Sequence, residues 1–436
     1  MGERSAGDLV SFSLGVDLSP LRISRTYRRL YAYNLVAGLG SQAVNVTMFY
    51  QLTQATHSPV VVGTFGIVEL LPLLLGAAIG GVIADRWSRR RVSITCETGV
   101  LLTMALMAWS TTWSGFHVPM VFICGATMVG LTSLQSPSLT ALTQQVVPHD
   151  MQRATATLGM VSNTAASIIG PGIGGLVAAS SSPRAVYVVY CVMLAVTISL
   201  LRSLTVRDHA GQSERISFAA AREGARYVTT RPDIVGTYII DTSAMIFAYP
   251  VAILAFLAVR SHSHFDVALF YVGLPTGAFL ATVTSRWTKN VRYYGRVIVV
   301  AAGLWGVGVV IAGISSMTWL IFAGLVFAGG ADAVSAIFRQ TMWNESISPE
   351  LRGRMASIEM LSYSVGPTLG QFRSGLMTQW LGAQRGLLAG GVVATASNAV
   401  LGASLRSLWN FDRTTDPHVA AVALERSQED PAHDLR

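Results

Sequence analysis

Gly80-Gly81-Val82-Ile83-Ala84-Asp85-Arg86-Trp87-Ser88-Arg89-Arg90-Arg91 closes a long apolar run and opens a dense basic turn. From Val60 to Ala84 the one charge is Glu69. At about 1.5 Å per helical residue this run spans roughly 37 Å, more than the ~30 Å hydrocarbon core of a bilayer. The stretch therefore predicts a membrane-spanning helix that ends in water at an arginine-rich surface.

The rest of the chain agrees with that reading. Over 436 residues, 51% are hydrophobic and 12% charged, too apolar for a single soluble domain. A net charge of +8 could suggest nucleic acid, but the 31 basic residues include one lysine, Lys289, and are spread through short loops. They read as topology signals, and no nucleic-acid partner is expected. Cys96, Cys124 and Cys191 all lie in apolar segments and form no disulfide or metal spacing, so they read as packing residues. Residues 1–27 contain no long apolar core, which predicts an N-terminus that stays in the cytoplasm.

Apolar runs bounded by charge or turn residues predict twelve spans: 28–51, 60–84, 92–113, 117–146, 154–179, 185–204, 234–259, 266–287, 295–315, 317–346, 355–380 and 386–407. An even number places both ends on the cytoplasmic side of a cytoplasmic (inner) membrane. Twenty-six of the 31 basic residues then fall in segments predicted to be cytoplasmic or at the cytoplasmic ends of spans. Arg184, Arg260 and Arg385 fall on the other side, and Arg339 and Arg373 lie within spans. This is the positive-inside asymmetry. The charged stretch 205–231 divides the spans six and six, giving an N-terminal segment 1–27, an N-terminal bundle 28–204, a C-terminal bundle 232–407 and a polar tail 408–436 expected to be disordered. Within the central stretch, 217–227 reads either as an amphipathic surface helix or as a solvated linker.

The halves echo one another. Pro148 to Arg153 after the fourth span matches Pro349 to Arg354 after the tenth, each a proline followed five residues later by an arginine. Gly170-Pro171-Gly172-Ile173-Gly174-Gly175 is loosely matched by Gly366-Pro367 and by Gly370 to Gly375. Paired six-span halves are a transporter architecture.

Gly81, Asp85, Arg86, Arg89 and Arg90 fall on Gly-x-x-x-Asp-Arg/Lys-x-Gly-Arg/Lys-Arg/Lys, with Ser88 at the glycine position. The chain thereby resembles the major facilitator superfamily, whose loop between the second and third helices carries this signature. In that family the loop acid lies near the start of the eleventh helix when the cytoplasmic side is closed. The resemblance implies a gating set of Gly81, Asp85, Arg86, Arg89, Arg90 and Arg354; the plainer alternative is that the arginines only mark the cytoplasmic side. Gly170, Pro171, Gly174 and Gly175 also resemble the glycine-proline motif of superfamily exporters in the fifth helix, with Ala166 at its first glycine. Ordinary close packing of small residues explains the glycines as well, while Pro171 predicts a kink. Gly170 to Gly175 formally fits the dinucleotide fingerprint, but no strand precedes it. Tyr27-Arg28-Arg29-Leu30, Thr56-His57-Ser58 with Gly63, and Leu351-Arg352-Gly353-Arg354 extend the likeness toward the siderophore-exporting and proton-driven drug-efflux branch.

Ionisable residues inside spans are costly and mark function by default. Glu69, Asp241 and Asp332 are the candidate proton carriers, with buried structural pairing as the alternative. Arg339 follows Asp332 by seven residues on one face, and Arg373 either faces the cavity or snorkels outward. Tyr249, Phe338 and Trp343, with Met245, Phe247 and Met342, are candidate cavity walls or packing residues. Glu97 and Glu359, near the inner ends, read as partners of the basic loops. The only lysine is followed by Asn290, so no phosphate-binding Walker loop exists. The eight histidines show no metal spacing, which argues against a membrane enzyme, and the loops are too short for a signalling domain. The expectation is a monomeric all-α exporter of a siderophore or amphiphilic small molecule in exchange for protons. A multidrug or macrolide transporter and a transport-inactive sensor are the alternatives. No metal or cofactor is expected.

Overall fold

A computed structural model describes residues 18–113, 118–147, 151–204, 226–260 and 263–429. Twelve long helices cross the molecule: α1 (Arg25–Thr56), α2 (Pro59–Arg86), α3 (Arg89–Ser110), α4 (Val118–Val146), α5 (Gln152–Ser180) and α6 (Pro183–Arg202) in the first half, then α7 (Pro232–Ala248, resuming as Val251–Arg260), α8 (His264–Val283), α9 (Tyr294–Ile314), α10 (Thr318–Ser346), α11 (Pro349–Leu381) and α12 (Ala383–Ser404). Ten are long and apolar enough to span a membrane. The other two, α1 and α11, carry interior polar residues such as Gln42, Asn45, Gln371 and Arg373. The fold is an all-α membrane protein of two six-helix bundles.

Local chemistry sets the boundaries. Proline opens α2, α6, α7 and α11, where its missing N–H costs nothing. Ser88 caps α3 by accepting from the Arg91 N–H at 3.2 Å. Its φ of −63° is ordinary, so the sharp α2–α3 turn does without the glycine of the family signature. One residue, Gly382, joins α11 to α12 at φ 81°, a conformation that favours glycine.

The internal repeat also shows in the packing. On α5, a Cβ at Gly170 would lie 2.8 Å from Leu39 O and one at Gly174 2.5 Å from the Ala43 backbone, so α5 lies directly on α1. On α11, a Cβ at Gly366 would lie 3.2 Å from Met245 and one at Gly370 2.2 Å from Met245 O, so α11 lies directly on α7. Gly170, Pro171 and Gly174 thus correspond to Gly366, Pro367 and Gly370. Pro171, where a kink is expected, lies inside one continuous helix, α5.

The halves meet through α2 against α11 and α5 against α8. A Cβ on Gly375 would sit 2.4 Å from Pro59 O, and one on Gly175 3.1 Å from Ala268 N. These close approaches lie at the end away from the arginine-rich loops. At the arginine-rich end the described apolar clusters stay within one half: Tyr27, Val147 and Leu158 in the first, Val228, Ile234 and Trp343 in the second.

Three expectations are corrected. The seventh span is broken at Tyr249-Pro250 rather than continuous. The second half begins with Arg231 already fixed, its guanidinium pairing with Asp233 at 2.6 Å and donating to Ser346 O at 3.1 Å. The tail is folded as far as residue 429: Leu408 and Phe411 are buried, Phe411 stacks on Tyr294 at 6.1 Å, and α13 (Pro417–Glu429) docks on α10, with Arg426 donating to Asn344 O at 2.6 Å. Residues 1–17, 205–225 and 430–436 lie outside the described set.

Candidate functional site

Asp241 on α7 and Arg339 on α10 form an ion pair in the core of the second half, with side chains only 5% and 3% exposed. Two charges so deeply buried persist because each neutralises the other. The Arg339 Nε has no acceptor among the described residues, and its guanidinium carbon stands 5.7 Å from the Tyr363 ring centroid on α11. One guanidinium therefore links three helices. Asp332 precedes Arg339 by seven residues, two turns or about 10.5 Å along α10, on the same face. It is half-buried and takes no hydrogen bond among the described residues. Helical side chains lean toward the N-terminus, so Arg339 leans toward Asp332 while bonded to Asp241. The sequence indicated that Asp332 and Arg339 share a face; it could not indicate that α7 supplies the partner.

The α7 break lies beside this cluster. Pro250 has no N–H, which strips Ile246 O of its helical donor. Arg373 of α11 fills the gap, donating Nε–H to Ile246 O at 3.0 Å. Ser374 donates its hydroxyl to Tyr249 O at 2.7 Å. Arg373, expected to face the cavity or snorkel, is in place a cap on broken backbone, and its Nη2 donates to Ser374 Oγ at 3.2 Å. Tyr249 is half-buried beside Gly370.

The aromatic candidates separate. Phe338 is fully buried between Trp287 and Tyr294, at 5.7 and 5.4 Å, on the side of α10 that meets α9. It is a packing residue there, as is the fully buried Met342. Trp343 packs tilted against Tyr238, ring centroids 5.0 Å apart, and its Nε1 donates to Thr237 Oγ1 at 3.2 Å. The Tyr238–Trp343 pair walls a cavity of about 200 Å³ with Gln340, Asn344, Met355 and Glu359. Glu359 thus stands at a cavity rather than in a basic loop. The Tyr238 hydroxyl is buried and has no partner among the described residues.

In the first half, Glu69 turns toward α4, where a Cβ on Gly125 would meet its Oε1 at 3.2 Å. That oxygen is buried without a donor among the described residues. Glu97 is not a partner of the basic loops. Its Oε1 accepts from the Tyr33 hydroxyl at 2.5 Å and from Gln135 Nε2 at 3.1 Å, and its Oε2 accepts from Thr197 at 3.0 Å. This buried network ties α1, α3, α4 and α6, and sequence reasoning missed Tyr33, Gln135 and Thr197. Their only signal was polarity within apolar runs. Of the gating set, Arg90 caps α6, donating Nε–H to Leu201 O at 3.0 Å and also reaching Arg202 O. Arg86 is exposed, and Arg89 buries an Nε with no acceptor among the described residues. Gly81 lies within α2, while the side chains of Asp85 and Arg354 lie outside the described set. Among the described residues, no group of three or more His, Cys, Asp or Glu side chains converges as metal ligands would.

Comparison with known proteins agrees with this architecture. The family model described as "Transmembrane secretion effector" matches residues 16–427. The enterobactin exporter of Shigella flexneri is 22% identical over 361 residues, covering 81% of this chain and 85% of the relative. That of Salmonella typhi is 22% identical over 370 residues, covering 81% and 86%. Among solved structures, the nucleoside transporter NupG superposes with a TM-score of 0.71 at 14% identity, covering 89% of this chain and all of the other. A D-xylose-proton symporter gives 0.64 at 14% identity, covering 93% and 99%.

Proposed function

Because the chain belongs to the transmembrane secretion effector family within the major facilitator superfamily, and is a multi-pass membrane transporter rather than an enzyme, we propose that it exports a siderophore or amphiphilic small molecule from the cytoplasm by proton antiport. The observation that carries this reading is the buried Asp241–Arg339 pair with Asp332 two turns away on the same face of α10. Arg339 pairs with Asp241, and a second carboxylate, Asp332, lies on the same face of α10. Protonation of Asp241 releases Arg339 to Asp332, and deprotonation draws it back; each exchange shifts α10 relative to α7. A substrate that takes either carboxylate's place competes with the proton, which is the logic of antiport. Glu69 is the candidate carrier of the first half.

In this reading the arginine-rich face is cytoplasmic and both termini lie there, in an inner membrane. The close approaches between the halves lie at the far end, and the described apolar clusters at the arginine-rich end stay within one half, a pattern that supports a state open to the cytoplasm. Asp85 and Arg354 are then the gate partners that meet when that side closes. Export is favoured over import by the enterobactin exporters among the relatives. The Tyr238–Trp343 wall suits flat amphiphiles, which keeps multidrug efflux as the second reading.

Inverted membrane vesicles test the proposal. An acidified lumen should drive uptake of a catecholate siderophore or amphiphilic dye, and a protonophore should abolish it. Uptake that ignores the protonophore, or uptake of none of these compounds, would overturn the reading.

A further inference from the structure

Two grooves open on the outer flank of the second half, one on either side of α9. The first, about 620 Å³, lies between α8, α9 and α10 and runs from Trp287 and Arg296 down to Leu304. The second, about 760 Å³, lies between α9 and α12 and runs from Arg406 and Trp409 down to Thr395. Val300, which is 51% exposed, lines both, so only one side chain's width separates them.

Their depth is telling. From Arg296 to Leu304 is eight residues, about 12 Å of helix, and from Thr395 to Arg406 is eleven, about 16 Å. Half of a ~30 Å hydrocarbon core is about 15 Å. Each groove therefore extends through one leaflet and ends in charge at the arginine-rich surface.

The two mouths are joined. The Arg296 guanidinium, at the mouth of the first groove, stands 4.1 Å from the Tyr293 ring centroid and 5.9 Å from that of Trp409, at the mouth of the second. Arg406 lines the second mouth as well. Both arginines are exposed, and neither pairs with a carboxylate among the described residues. Nearby Arg292 and Arg413, by contrast, do find acids, Asp412 at 2.5 Å and Glu345 at 4.0 Å. Trp287 and Trp409, 45% and 36% exposed, sit at the level where aromatic rings border the headgroup region.

We propose that the two grooves together hold one anionic diacyl phospholipid of the leaflet at the arginine-rich face, straddling α9. Its phosphate lies between Arg296 and Arg406, and one acyl chain occupies each groove. Unpaired guanidinium groups at the membrane surface supply the charge that a phosphodiester complements, and basic pockets between spanning helices select anionic headgroups in this way. Zwitterionic lipids fill the same apolar space but carry a cation that the two arginines repel. Free phosphate meets the arginines but leaves both grooves unused.

Native mass spectrometry of the full chain tests the proposal, with phosphatidylglycerol and phosphatidylcholine of identical chains added in equal amounts. Phosphatidylglycerol should be retained at least tenfold more, and Arg296→Gln combined with Arg406→Gln should remove the preference, whereas Arg296→Lys with Arg406→Lys should keep most of it. Val300→Trp, which plugs both grooves without touching charge, should lower retention of phosphatidylglycerol severalfold; inorganic phosphate should not displace the lipid. The unfolding temperature of each variant without added lipid reports folding separately. Equal retention of the two lipids, an unchanged preference in the glutamine variant, no effect of Val300→Trp, or displacement by inorganic phosphate would each overturn the proposal.

Discussion

Arg373 donates its Nε–H to Ile246 O at 3.0 Å, satisfying the carbonyl that Pro250 leaves without a helical donor. A cation of α11 thereby holds the break in α7. Arg373→Met should lower stability by about 1–3 kcal/mol, the cost of orphaning a partly buried carbonyl. Pro250→Ala restores an N–H at the right position, so the double variant should lose less than Arg373→Met alone. Thermal unfolding in detergent reads both, and strictly additive losses would contradict the assignment.

The Asp241–Arg339 pair yields a second prediction. Arg339→Leu leaves Asp241 buried without a partner and should cost about 3–5 kcal/mol. Asp241→Asn with Arg339→Gln removes both charges and should recover much of that stability but no proton-driven transport. Unfolding temperature and vesicle transport, measured on the same preparations, separate folding from coupling.

Removal of the charge at Glu97 acts on a different structure. Three donors converge on that carboxylate, from Tyr33, Gln135 and Thr197. In Glu97→Gln a donor replaces one acceptor, so at least one bond fails and stability should fall by about 1–3 kcal/mol. Uphill transport at a temperature where the variant is folded should persist. Loss of coupling without loss of stability would move Glu97 into the proton path.

How legible all this was in the sequence depends on the range of the force involved. Spans, their number and the six-and-six division follow from the cost of exposing polar backbone to lipid, which acts residue by residue and leaves long apolar runs. The α7 break was less visible because proline inside a membrane run is tolerated; the donors that satisfy the break come from Arg373 and Ser374, more than 120 residues away. The packed tail was missed because Leu408, Phe411 and Val422 are too sparse for an apolar period yet meet surfaces of α9 and α10. At the candidate site, cost alone singled out Asp241, Asp332 and Arg339. Pairing, and the displacement of Phe338 to the packing side of α10, are tertiary facts with no local signature.

The tail yields a pH prediction. The Arg292 guanidinium, hydrogen-bonded to Asp412 at 2.7 and 2.8 Å, holds that carboxyl below the usual carboxylate range, helped by the Thr414 hydroxyl and N–H. A depressed folded-state value means the stabilisation is complete above the unfolded value of about 3.9 and is lost as pH falls through the lower one. Docking of α13 should therefore be unchanged from pH 8 to 5, and Asp412→Asn should weaken it across that range. Hydrogen exchange over residues 411–429, corrected for intrinsic rates, measures this; wild-type release of the tail near pH 6 would contradict it.

If protons drive transport through the carboxylates around Arg339, Asp332→Asn in proteoliposomes must uncouple it. Two assays run on the same vesicles: exchange of labelled substrate at equal pH, and uphill movement under a pH gradient. Asp332→Asn should retain exchange and lose uphill movement at least tenfold. Gradient-driven transport at the wild-type rate in both Asp332→Asn and Asp241→Asn would contradict it.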